Sequence, residues 1–199
     1  MKYFLLSVRN QLSVYCGPKD GGRYDFSAAC LACGTGARRL DPIRLSPSIL
    51  KDRVASTLKY EIMIPPRLVP ALRAVGPNCL REIVTGKDRT PSGFFELIGE
   101  TVFPPFGPAT NGYTTSEQCP VCHRDGYFNI PHVPLQLAYD KPVPNSAVAE
   151  TYERFGNSRP NTDFKASYLA APRLILSEAM CEIIKGERTV ELVPITTSS

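Results

Sequence analysis

Two Cys-x-x-Cys pairs stand far apart in the chain: Cys30-Leu31-Ala32-Cys33, followed by Gly34, and Cys119-Pro120-Val121-Cys122, followed by His123. Four thiolates are the set that a tetrahedral zinc ion takes. Two residues between the cysteines let the chain turn back so that both sulfurs face one ion. Gly34 removes a Cβ beside the sulfurs, and Pro120 presets φ for a tight turn. If both pairs bind one ion, the fold must bring residue 33 back to residue 119. The 85 residues 34–118 then form an insertion whose ends are tied together. Closing so long a loop adds entropy only logarithmically with length.

A CxxC pair can also be a redox dithiol, which usually opens a helix directly after a strand. Neither pair here is followed by a helical pattern. Thr35 to Pro42 is basic and turn-like, and His123-Arg124-Asp125-Gly126 reads as a turn. The spacing therefore predicts one structural zinc ion per chain, held by Cys30, Cys33, Cys119 and Cys122. Such a site is closed and leaves no coordination position for a reacting molecule. His123 could support a sulfur from outside the ligand set or replace one of the cysteines. The other three cysteines, Cys16, Cys79 and Cys181, have no regular spacing. An odd total of seven does not suit a secreted disulfide framework. Cys181 falls on a helix face expected to be buried, where a thiol behaves as a small apolar group. A reducing, cytoplasmic setting follows from this cysteine usage.

The apolar run Tyr3-Phe4-Leu5-Leu6 is ended by Arg9-Asn10-Gln11, which is too short for an export signal. No stretch reaches the length of a membrane span. The 19 prolines predict many turns. Charge is uneven: residues 1–99 carry 15 Lys/Arg against 8 Asp/Glu, and residues 100–199 carry 8 against 11. A basic first half, with Arg38-Arg39 beside the first cysteine pair, could meet phosphate, although solvated side chains explain the same composition.

The hydrophobic pattern predicts a first strand over Tyr3–Val8, a loop over 17–22 and a strand within Arg23–Ala29. Residues 36–48 read as a connector. Ile49, Leu50, Val54 and Leu58 fit one side of a helix over 49–58. A second helix is expected over Arg67–Val75, starting at Pro70 if that proline cannot lie inside it, and stopped by Gly76-Pro77. Residues 79–84 fit a further helical turn or a strand. Phe94–Ile98 and Glu100–Phe103 read as strands. The loop Asn111–Gln118, the second cysteine pair and Tyr127–Ile130 give strand, knuckle, strand, the layout of a zinc ribbon. At the C-terminal end, Arg173–Leu176 and Thr189–Ile195 flank a helix over Glu178–Lys185, with Ser177 as its cap. The expected fold class is α+β. A zinc-ribbon-like double knuckle, from 24–36 and 116–130, is built onto a small mixed domain spanning 1–199. The insertion is 37–115 and the C-terminal strand-helix-strand is 172–195.

Catalytic patterns are missing. The chain has only two histidines, His123 and His132, and no nucleophile elbow, phosphate loop, His-Glu-x-x-His or dinucleotide fingerprint. A zinc deaminase needs a catalytic glutamate beside the first ligand segment, and none is there. No residue is assigned a catalytic role.

The layout resembles the double-CXXCG motif proteins, a family of myxobacterial-type immunity proteins paired with polymorphic toxins. The resemblance rests on four features. They are the opening Met1-Lys2-Tyr3-Phe4, the first Cys30-Leu31-Ala32-Cys33-Gly34, the second Cys119-Pro120-Val121-Cys122-His123-Arg124-Asp125-Gly126-Tyr127, and the ending from Leu174-Ile175-Leu176-Ser177-Glu178 through Val190-Glu191-Leu192-Val193-Pro194-Ile195. His123 stands where the family pattern has its second glycine, and residues 35–115 carry none of the resemblance. The resemblance implies a cytoplasmic, non-enzymatic protein that binds and neutralises a cognate protein toxin. Residues alone leave open the alternative of a zinc-ribbon protein that binds nucleic acid or acts as a regulator.

Overall fold

The computed structural model describes residues 2–14, 22–116, 118–124, 128–129, 133–156 and 170–197. Residues 17–21 of the loop predicted over 17–22, Cys16 and His132 lie outside them. In chain order, the first part holds β1 (Tyr3–Val8), β2 (Tyr24–Asp25), β3 (Arg38–Arg39), β4 (Arg44–Leu45), β5 (Ala55–Ser56) and β6 (Ile62–Ile64). The middle holds α1 (Val69–Val75), β7 (Leu80–Thr85), β8 (Thr90–Leu97), β9 (Thr101–Val102), β10 (Tyr113–Thr114), β11 (Phe128–Asn129), β12 (Ala138–Tyr139) and β13 (Val148–Glu150). The end holds β14 (Leu174–Ser177), α2 (Glu178–Ile184), β15 (Val190–Pro194) and β16 (Thr196–Thr197). The fold is mixed and mostly sheet, in keeping with the α+β expectation.

Two five-stranded sheets make the body. The first runs β15-β1-β14-β13-β9 and the second β4-β7-β8-β6-β5. In the first sheet, the first strand and the C-terminal strand-helix-strand interlock, because β1 pairs antiparallel with both β14 and β15. The period of two along these strands sorts their side chains to opposite faces. Leu6, Leu174, Leu176 and Val148 join one apolar cluster with α1, α2 and the second sheet's Ile62, Ile64 and Leu97. Tyr3, Leu5, Ile175 and Ala149 join another with Phe103, Leu137 and Tyr139. The far face of the second sheet packs a third cluster around Ile43, Met63 and Ile83. β6 and β14, inside their sheets, are thus buried on both faces, which is why they read as continuous apolar runs rather than alternating ones.

Several local expectations change. No helix forms over 49–58. A 3₁₀ turn at Pro47–Ile49 gives way to extended backbone at Leu50, and β5 follows. Ile49 and Leu50 pack against the third cluster, whereas Val54 packs into the first, on the other side of the second sheet. A single helix face could not serve both. The connector over 36–48 contains β3 and β4, and only Tyr24–Asp25 of 23–29 is strand. Residues 80–85 are strand. The helix after Pro66 is α1, entered through a 3₁₀ turn at Pro66–Leu68, with Pro70 in its first turn where a missing N–H is tolerated. Ser177 is the residue before α2, but its side chain makes no capping hydrogen bond. Among the described residues no helix is long and apolar enough to cross a membrane.

Candidate metal centre

Each cysteine pair sits at the tip of a short antiparallel ladder. β2 and β3 flank the first, and β10 and β11 flank the second. Their backbones follow one plan. The Gly34 amide donates to the Cys30 carbonyl at 2.8 Å, and the His123 amide donates to the Cys119 carbonyl at 3.0 Å. Both donors take a left-handed φ, 73° for Gly34 and 53° for His123. Glycine is at home there, and histidine is among the side chains that tolerate it. The two positions thus share one backbone conformation. The first knuckle reaches it with the residue that has no Cβ, the second with a residue that bears the strain.

The two tips interdigitate. Cys30 Sγ lies 3.9 Å from Cys119 Sγ, and Cys33 Sγ lies 3.6 Å from Cys122 Sγ. All four sulfurs lie within 4.8 Å of one another. At these separations neither contact is a disulfide, whose sulfurs sit about 2.05 Å apart. The short contacts cross between knuckles, so the four thiols form one group that could hold a metal ion. Cys33 and Cys119 are buried, Cys30 and Cys122 half-buried. Leu31 and Val121, between the cysteines, point outward at 87 % and 66 % exposure. His123 is exposed and is not part of the four-thiol group.

Backbone amides support the sulfurs. Burial pushes the Cys30 thiol up, but the amides of Ala32 and Cys33, together with the neighbouring thiols of Cys33 and Cys122, outweigh it, and its pKa falls below the ordinary value. Burial pushes Cys122 up to about 11, against the pull of the Arg124 amide. Amides aimed at sulfur are what a bound thiolate needs, because metal ligation requires the deprotonated form.

Two arginines fix the knuckles to the body, and neither was legible as an anchor. Arg39, at the end of β3, is only 7 % exposed and pairs with Glu61 and Glu96. Arg81 joins the same Glu96 at 2.8 Å. One of the two arginines expected to meet phosphate is thus committed to carboxylates. Several other basic residues of the first half are paired as well, Arg23 with Asp41 and Arg67 with Glu187 among them. In the second knuckle, Arg124 donates to the Tyr152 carbonyl at 3.2 Å and lies 4.1 Å from the centre of the Tyr152 ring. Of the remaining cysteines, Cys79 and Cys181 are buried in the first apolar cluster, away from the metal group. Burial pushes their thiols up to about 11 and about 12.

No protein-family model, no curated protein and no solved structure matches the chain.

Proposed function

We propose that Cys30, Cys33, Cys119 and Cys122 hold one structural zinc ion in a ribbon-like double knuckle, and that the chain is an immunity protein which binds a cognate toxin. The zinc reading is carried by the sulfur spacing. A zinc tetrahedron with bonds of about 2.3 Å has edges of about 3.8 Å, and the two contacts between knuckles are 3.9 and 3.6 Å. Four thiolates fill the coordination shell, so the ion supplies a cross-link between distant segments and no Lewis-acid chemistry. Metal analysis of protein purified under reducing conditions should return one zinc per chain. Cobalt substitution should give the strong visible absorption of a tetrahedral tetrathiolate. Metal-free protein with four titratable thiols in a folded state would remove this reading.

The immunity reading is supported by the sequence resemblance in the two cysteine motifs and the C-terminal strand-helix-strand. The absence of catalytic patterns agrees with a protein that acts by binding. Co-expression with a toxin encoded beside it should rescue growth and yield a complex that survives size-exclusion chromatography. Failure of both would sink this reading while leaving the zinc site intact.

A further inference from the structure

The antiparallel ladder between β1 and β14 pairs Tyr3 with Ser177, Phe4 with Leu176 and Leu5 with Ile175, and there it stops. β1 continues to Val8 along β15 alone. Extending the register places Ser7 opposite Arg173. Where the strands part, a cavity of about 230 Å³ opens, lined by Ser7, Arg9, Gln11, Ser56, Tyr60 and Arg173 together with apolar residues of the adjoining strands. Its lining holds two arginines, three hydroxyl groups and a carboxamide, and no aspartate or glutamate.

Arg173 is the unusual group. Its guanidinium carbon sits 3.4 Å from the centre of the Tyr60 ring and 5.4 Å from that of Phe155. Its Nε is buried with no hydrogen-bond partner, and no carboxylate pairs with it among the described residues. A buried cation without a counter-charge is strongly destabilising, and a ring face offsets only part of that. Burial accordingly lowers its pKa. Arg9, by contrast, is exposed and already engaged by Glu191 at 3.2 Å.

Tyr60 supplies a second, independent observation. It closes the turn between β5 and β6 with a φ of 64°. Its amide bonds to the Thr57 carbonyl, and the Thr57 amide bonds to the Glu61 carbonyl. This is the hairpin position at which glycine is preferred. A bulky side chain there costs about 1–2 kcal/mol. Strain of this kind persists where the side chain is needed. Here the side chain carries the face on which Arg173 lies. Stacking leaves the N–H groups of a guanidinium free in its own plane, the arrangement that grips an oxyanion through two parallel bonds.

We propose that this cavity binds a small molecule bearing an oxyanion, a carboxylate or a phosphate, with Arg173 as its principal contact and Tyr60 holding the guanidinium from behind. Ser7, Ser56 and Gln11 line the walls and offer further donors. The site is independent of the metal centre and of any toxin.

The test uses the full, metal-loaded chain, with sodium phosphate and sodium succinate as separate probes and sodium chloride at matched ionic strength as the reference. At least one probe should give a saturable calorimetric isotherm and raise Tm above the chloride value, as a ligand of the native state must. The probe that does so distinguishes phosphate from carboxylate. Arg173→Gln should weaken that binding about tenfold or more, the loss of a charged hydrogen-bonded contact. Ser7→Asp places a carboxylate across the strand from Arg173. It should raise Tm in chloride and abolish the response to the probe. Two results overturn the proposal: no saturable binding of either anion by the wild-type chain, or an unchanged response in Ser7→Asp. The second variant decides the matter even if Arg173→Gln does not fold.

Discussion

The first knuckle carries glycine at its left-handed position and is tied to the second sheet by charge. Arg39 runs from its closing strand into Glu61 and Glu96, all three nearly sealed from solvent. The second knuckle carries histidine at the same position and is tied near the end of β13. Its contacts there are Arg124 with the Tyr152 carbonyl and ring, and the Arg154 amide with the Arg124 carbonyl at 2.6 Å. One backbone plan is thus held in two ways. The charged anchor is strong only while every partner is present. The second anchor uses a carbonyl and a ring face, and loses less when one contact is cut. A metal between the two tips would join an anchor on one sheet to an anchor on the other, so its removal frees both at once.

That difference predicts a hierarchy of damage. The largest effect belongs to the sulfurs, because the two knuckles would share one ion. Cys30→Ser and Cys119→Ser should each lower stability by at least about 5 kcal/mol, a fall in Tm of about 10–20 °C. The two losses should agree within about 1 kcal/mol despite the different anchors. Chelation should reproduce the loss in the wild-type chain and add nothing in either variant. A Tm unchanged in one variant but lowered in the other would show that the knuckles do not share an ion.

The sulfurs were legible in the sequence because their chemistry is local. Two residues between cysteines, with a turn former alongside, already specify a knuckle. The first strand and the C-terminal strand-helix-strand were legible for a similar reason, since alternation over residues 190–195 sends Val190 and Leu192 to one cluster and Val193 and Ile195 to the other. The anchors were not, because their partners are distant: Arg39 meets Glu61 across 22 residues and Glu96 across 57. No spacing rule marks such a pair, and Arg38-Arg39 therefore looked like an exposed basic step. The helix expected over 49–58 failed for another physical reason. Its apolar residues do recur with helical period, but they serve clusters on opposite faces of one sheet. Periodicity reports how often side chains are buried, not which cluster buries them. Tyr60 gives no signal at all without its φ.

The next effect separates the anchors. Glu96→Gln removes the charge that faces both Arg39 and Arg81, leaving two guanidinium groups short of a partner. Breaking a buried pair in this way is expected to cost about 3–5 kcal/mol. Arg124→Ala removes one carbonyl contact and one ring contact, with an expected loss of about 1–2 kcal/mol. Urea denaturation of the metal-loaded chains measures both. In a chelator competition, Glu96→Gln and Arg124→Ala should each give up the metal more readily than the wild type, since each loosens one tip. If Arg124→Ala proves the more damaging of the two in urea, the second knuckle carries the larger load and the contrast between the anchors reverses.

The smallest effect tests whether the two backbones are in fact equivalent. A side chain other than glycine in the left-handed region is penalised by about 1–2 kcal/mol, and the flexible unfolded chain returns part of any gain from glycine. His123→Gly should therefore raise Tm by about 2–4 °C for roughly 1 kcal/mol in a chain of this size. Gly34→His should lower it by a similar amount. The double variant Gly34→His/His123→Gly exchanges the two tips: if each position acts through its own backbone conformation alone, its shift equals the sum of the two single shifts within about 0.5 kcal/mol, and a larger departure measures coupling through the touching tips. The exchange also decides what the imidazole does. If conformation is all that the position requires, glycine is the better residue at 123, and the single variant gains stability with its metal affinity unchanged. If His123→Gly instead loses stability or metal, the exposed ring supports a sulfur in a way the backbone cannot replace. The strain at that position would then be retained for the side chain, as it is at Tyr60.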